Sequence, residues 1–194
     1  NISSYYLMPG FAYGGSCLPK DTSALKNMSK KLNLNTPVIN SISQSNFEHI
    51  NRAVDLIISK KKKKIGFLGI TFKSDTDDIR GNPALLIINK LLSEKYNVKI
   101  FDNLVNSSNI LKMNESYRKE IFDLISQGNL KEKIKDISNL FFGVDEVLNQ
   151  DIIVISNRDK SLKEYLTKIP SDKIIIDLQN IFSSSDFSAN YETL

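Results

Sequence analysis

The sequence predicts an α/β protein, a helical region followed by a doubly wound parallel sheet. From Lys64 onward, short apolar runs alternate with helical stretches. Before Lys64, apolar residues recur at helical spacing behind proline-marked starts. Pro19 suits the first position of a helix, and Leu25, Met28 and Leu32 follow at helical spacing, which predicts a helix over 19–33. Thr36-Pro37 opens a longer helix through Val38, Ile42, Ile50, Val54, Ile57 and Ile58, reaching the lysine run at 60–64. KIGFLGI, VKIFD, DIIVIS and KIIIDL then read as strands covered on both faces, the pattern of a parallel sheet. Asn82-Pro83 caps a helix carrying Leu85, Leu86, Ile88, Leu91 and Leu92. Between 103 and 145 the pattern supports helices near 114–127 and 131–137 and a short strand at 140–142.

Composition bounds the setting. With 194 residues, 41% hydrophobic and 25% charged, the chain can bury an ordinary core. Its one cysteine, Cys17, forms no internal disulfide, and no apolar run approaches the roughly 20 residues of a membrane span. A reducing, cytoplasmic location and no membrane are therefore expected, with Asn1 read as the edge of a fragment. Much of the net charge of +4 sits in Lys60–Lys64. These lysines suit either a phosphate patch or a solvated joint at the negative end of a helix. No aromatic residues interleave with them, so no nucleic-acid partner is expected. His49, alone among Ser45, Asn46 and Glu48, reads as a helix-surface residue, and no metal is expected.

A doubly wound sheet binds its ligand at the carboxyl ends of its strands, here the loops after Ile70, Asp102, Ser156 and Leu178. The first of these loops reads TFKSDTDDIRGNP where a dinucleotide site has a glycine-rich turn, with Gly66 and Gly69 placed inside the strand. It is no NAD fingerprint. Lys73 and Arg80 stand beside Asp75, Asp77 and Asp78, so the turn either holds a phosphorylated ligand or satisfies its own charges. The second conspicuous stretch is GGSCLPKD, residues 14–21. A lone cysteine is commonly a small buried apolar residue. Here it precedes a proline-started helix whose amide dipoles, with Lys20, favour a thiolate, and Gly14 and Gly15 let backbone approach a ligand.

Together, PGFAYGGSCLPKD (residues 9–21) and GITFKSDTDDIRGNPAL (residues 69–85) resemble the UDP-glucose and GDP-mannose dehydrogenase family. NISSYY at the start and IFDN after the second strand extend the likeness over nearly the whole chain, towards the members acting on GDP-mannose. The resemblance implies a central helical dimerisation region carrying the cysteine motif (1–62), then a carboxyl-terminal, Rossmann-like nucleotide-sugar-binding domain (63–194). It also implies a missing amino-terminal domain that binds NAD, and a homodimer.

The reaction implied by the resemblance is oxidation of a nucleotide sugar at C6 to the acid with two NAD, GDP-mannose being favoured over UDP-glucose or a UDP-N-acetylhexosamine. An aldehyde has no hydride to lose until a nucleophile adds, and a thiolate supplies the thiohemiacetal and then the thioester. Cys17 matches that nucleophile. Asp21 matches an aspartate orienting water or assisting proton transfer, its alternative role being to cap the following helix. Lys20 and Arg80 match residues touching NAD, and Lys73 matches a substrate-contacting lysine. Tyr5, Tyr6, Phe11 and Gly14 match a loop lining the nucleotide-sugar site, with the tyrosines reaching the neighbouring subunit. Met8 stands where the family usually has an arginine.

Overall fold

A computed structural model describes residues 10–71, 76–112 and 137–194. Two helices lead, α1 (Leu18–Lys31) and α2 (Pro37–Ser59). The rest alternates as expected: β1 (Lys64–Leu68), α3 (Pro83–Ser93), β2 (Asn97–Phe101), α4 (Ser107–Lys112), α5 (Val144–Leu148), β3 (Ile152–Ile155), α6 (Lys163–Leu166), β4 (Ile174–Asp177) and β5 (Asn190–Thr193). The helix expected at 114–127 and most of that at 131–137 lie outside the described residues. No helix among the described residues is long and apolar enough to cross a membrane.

All the strand pairs are parallel, in the order β2-β1-β3-β4-β5. Strand alternation divides the core. Ile65, Phe67, Ile152, Val154 and Ile176 meet α2 and α3 on one face, while Leu68, Ile153, Ile155 and Ile175 meet α5 and α6 on the other. Each fully buried Ile, Leu or Phe contributes about 1.5–3 kcal/mol, so both helical layers are held by burial more than by helix propensity. Gly66 is part of this packing. A β-carbon there would stand 2.5 Å from the Val147 carbonyl oxygen of α5, so the glycine sets how closely that helix lies on β1.

Several elements differ from the sequence reading. Gly69 lies past the end of β1, not within it, at a φ of 76° that glycine adopts without strain. The strand expected at 140–142 is a single bridge between Ile100 and Phe141 beside a 3-10 turn at Ile137–Leu140. The fifth strand, β5, is an addition. It forms from NYET, with no apolar run to announce it, and lines up beside β4. The apolar stripe of α1 is not core: Leu25, Met28 and Leu32 are 52%, 58% and 62% exposed. In α2, Val38 is exposed, while Ile50, Ala53, Val54 and Ile57 are buried against the sheet domain. His49 is half-buried rather than on the helix surface, its ring 5.4 Å from that of Phe11.

Candidate site where the cysteine loop meets the strand ends

The chain leaves β1 towards β2 on one side and returns through β3 on the other. The loops after β1 and β3 therefore diverge and open a crevice at the carboxyl edge of the sheet. Buried polar side chains fix this edge. Asp102, just past β2, accepts hydrogen bonds from the Ile70 and Thr71 amides through Oδ2 (2.7 and 3.1 Å) and from Leu104 and Val105 through Oδ1 (2.9 and 3.2 Å). Asn82 donates to the carbonyl oxygens of Ile70 (2.8 Å) and Thr71 (2.9 Å), and its Oδ1 caps α3 by accepting from Ala84 N–H (2.8 Å). Asn157, after β3, donates to Thr71 Oγ1 (3.1 Å) and lies where a side chain on Gly69 would have to stand. Asp177 accepts from the amides of Gln179, Asn180, Ile181 and Phe182. Buried polar groups this fully satisfied hold a loop in one shape.

That arrangement decides what the sheet can bind. A dinucleotide fold keeps a glycine-rich turn after its first strand and an acidic residue after the second, free to reach a ribose. Here the turn is charged and both oxygens of Asp102 are spent on four backbone N–H groups. Asp102 is therefore committed to backbone and not held out towards a ribose.

Against this edge lies the cysteine loop. The Gly15 N–H donates to the Gly81 carbonyl oxygen at 3.1 Å, and a β-carbon on Gly14 would stand 1.9 Å from that same oxygen. Gly15 and Gly81 have φ of 77° and 62°. The close approach that glycines permit is thus between two stretches of backbone. Asn46 of α2 holds the loop from behind, accepting from Tyr13 N–H (2.9 Å) and donating to Tyr13 O (3.0 Å). Phe11 is buried in the core against His49. Between α1, α2 and the start of α3 runs a cleft of about 280 Å3, lined by Pro19, Ser23, Ser43, Phe47, Pro83 and Leu86.

The loop delivers Cys17 to the position immediately before α1, with an exposed thiol 3.8 Å from Ser16 Oγ. The amino end of α1 is positive by its dipole, and Asp21 lies in its first turn. The helix therefore starts before Asp21, which does not cap it; the carboxylate is exposed, with Lys20 Nζ at 3.8 Å. Arg80 donates to Asp78 through Nε (3.0 Å) and Nη2 (2.8 Å), a two-pronged grip on a half-buried pair. Gly81 follows Arg80 directly, so the contact with Gly15 brings the backbone beside Arg80 against the turn that leads into Cys17. Tyr5, Tyr6, Met8 and Lys73 lie outside the described residues.

Sequence reasoning did not find Asn46, Asn157, Arg158 or Gln179. Their partners are 33 to 86 residues away or sit in another loop, and no local pattern signals that. The lysine run is partly engaged: Lys60 pairs with Glu192 of β5, and Lys63 Nζ lies 3.7 Å from the centre of the Tyr96 ring.

Residues 66–184 match the family model described as the UDP-glucose/GDP-mannose dehydrogenase family, UDP binding domain, and residues 1–48 match that family's central domain. GDP-mannose 6-dehydrogenase of Pseudomonas aeruginosa is 36% identical over 180 residues, covering 92% of this chain and 38% of the relative. UDP-glucose 6-dehydrogenase of Rickettsia conorii is 31% identical over 194 residues, covering 94% of this chain and 40% of the relative. Among solved structures, a ternary complex of GDP-mannose dehydrogenase from Pseudomonas aeruginosa superposes with a TM-score of 0.79 at 32% identity, over 98% of this chain and 41% of that one. A UDP-D-ManNAc dehydrogenase from Pyrococcus horikoshii, at 23% identity and a TM-score of 0.65, shares the fold. The chain spans 38% and 40% of the length of these two curated relatives.

Proposed function

The chain belongs to the UDP-glucose/GDP-mannose dehydrogenase family, and from that premise we propose that it is the carboxyl-terminal part of a nucleotide-sugar 6-dehydrogenase that oxidises GDP-mannose to GDP-mannuronate. The observation that carries this reading is the hydrogen bond from Gly15 to Gly81, which brings the cysteine loop against the charged loop of the sheet domain. In this reading, residues 1–62 form the central region and 63–194 bind the nucleotide sugar. The family-model boundaries at 48 and 66 support that division.

Cys17, held on a backbone-locked loop, adds through its thiolate to the C6 aldehyde, and the carbonyl oxygen takes a proton to give a thiohemiacetal. NAD, held mainly by the remainder of the full-length protein, supplies the hydride acceptor for both oxidations. Water then attacks the thioester left on Sγ, releasing the acid and restoring the thiol. Asp21, one turn into α1, orients that water or takes its proton, and the amino end of the helix favours the anionic sulfur. Lys20 and Arg80 face the cofactor, with Asp78 fixing the Arg80 plane. Phe11 and Gly14 shape the substrate loop, Gly14 through its backbone contact and Phe11 from the core. Tyr5, Tyr6 and Lys73 complete the nucleotide-sugar site in this reading.

Cys17→Ala in the full-length enzyme tests this: acid formation is expected to stop while some alcohol oxidation survives. Cys17→Ser is expected to accumulate a covalent ester, visible by intact-mass spectrometry, because an alkoxide leaves less readily than a thiolate. Normal acid formation by the folded alanine variant would make the thiol a packing group. The identity to the Rickettsia enzyme supports a second reading with a UDP sugar, and titrating the chain with GDP against UDP decides between them.

A further inference from the structure

One side chain of α2 holds, by its backbone, the loop that carries Cys17. Asn46 engages both polar groups of Tyr13: its Oδ1 accepts from the Tyr13 N–H (2.9 Å) and its Nδ2 donates to the Tyr13 carbonyl oxygen (3.0 Å). The two bonds lie on either side of the Tyr13 α-carbon, so they fix the peptide planes before and after it. The next plane is fixed by the Gly15 N–H on the Gly81 carbonyl oxygen. Three consecutive planes between Ala12 and Gly15 are thereby anchored, and α1 begins two residues on, with the Asp21 N–H donating to the Cys17 carbonyl oxygen (2.9 Å). Upstream, buried Phe11 lies against His49, which stands three residues from Asn46 and so on the same side of α2. Ile50, Ala53, Val54 and Ile57 sink the rest of that helix into the core, so Asn46 projects from a rigid post.

We propose that Asn46 is a positioning residue for Cys17, setting where the thiol stands relative to the C6 carbon without touching the substrate, which rests on the nucleotide-sugar reading above. A backbone N–H and a carbonyl oxygen of one residue call for an acceptor and a donor side by side, which a carboxamide supplies. An ionised carboxylate has the same shape and only accepts. Gly14 and Gly15 make the anchor necessary, since glycine backbone turns freely wherever nothing holds it. Without Asn46, the bond at Gly15 and the burial of Phe11 remain, two points between which the segment can pivot.

The test compares the full-length enzyme with Asn46→Ala and Asn46→Asp, following acid and hydrazine-trapped aldehyde formed from the nucleotide sugar and NAD. Alanine is the better helix former, so a loss in that variant is not a weakened α2. Each variant that keeps the parental melting temperature is expected to lose about ten- to a hundredfold in kcat for acid, the cost of misplacing a reacting group by up to about 1 Å, with KM and alcohol oxidation little changed. Equal rates in parent and variants overturn the inference and leave the nucleotide-sugar reading standing. An equal fall in both steps also overturns it, since it marks a general effect on the fold. Parental acid formation by Asn46→Asp does the same, because shape without the donor is then enough. A parent enzyme that makes no acid removes the nucleotide-sugar reading and this inference with it. Where neither variant folds, amide hydrogen exchange in the parent chain decides: the Tyr13 N–H is expected to exchange at least about tenfold more slowly than in an unstructured peptide, and exchange at the unstructured rate overturns the inference.

Discussion

At the scale of single residues, the site depends on atoms that are missing. Gly14→Ala would drive a β-carbon into the Gly81 carbonyl oxygen, and with backbone on both sides nothing flexible can yield. A loss of about 1–3 kcal/mol in urea unfolding is expected, the range for overpacking a tight contact. Tyr191 gives a pH-dependent prediction. Burial first, then its hydrogen bond to the Asp177 carboxylate (2.9 Å), push the phenol well above its ordinary range. Because the folded state holds this proton more tightly than the unfolded one, the contribution is complete below about pH 10 and is lost as pH rises beyond it. Tyr191→Phe should lower stability at pH 8 by about 1–3 kcal/mol and flatten the alkaline fall in urea midpoint above about pH 10. Cys17, Gly14 and Asn82 were legible because each sits in an unusual local string. Asp102 and Asp177 were not: a short acidic residue after a strand looks the same whether it meets solvent or four amides.

At the scale of elements, apolar runs and proline starts placed α1, α2, α3 and β1 to β4 to within a few residues. Spacing could not tell which apolar stripe meets this chain's own core. The stripe of α1 does not, and Leu18 at 54% exposure extends it by nearly two turns beyond Leu25. An exposed apolar row of this length marks a contact surface, and it supports the proposal that the central region pairs with a second copy. Light scattering should then report a dimer, and Leu25→Lys combined with Leu32→Lys should shift it to monomer. The melting temperature of the sheet should barely move, since exposed substitutions cost within about 0.5 kcal/mol. β5 escaped notice for the opposite reason. None of its residues is fully buried at this sheet edge, and its hold on the fold comes from the half-buried pair, Tyr191, stacked 5.3 Å from Phe187, and Glu192, reaching Lys60.

At the scale of the whole molecule, the doubly wound topology was legible. The sequence lacked a dinucleotide fingerprint, and the four amides on Asp102 supply the physical reason that this carboxylate is not held out for a ribose. The chain is expected to give no specific heat with NAD in titration calorimetry while binding GDP or a GDP sugar. Tight NAD binding would overturn the proposed division of labour between this chain and the rest of the protein.

The bond between Gly15 and Gly81 also bears on how such a protein is inherited. It is made by main chain alone, so the 65 intervening residues can drift, lengthen or change charge without weakening it, provided both turns keep their shape. Recombination is less forgiving. A crossover within the lysine run would pass on two complete motifs, each from a different parent. Unless the Gly81 turn from one met the Gly14 turn from the other at the same depth, the hybrid would carry every letter of both motifs and still misplace its thiol.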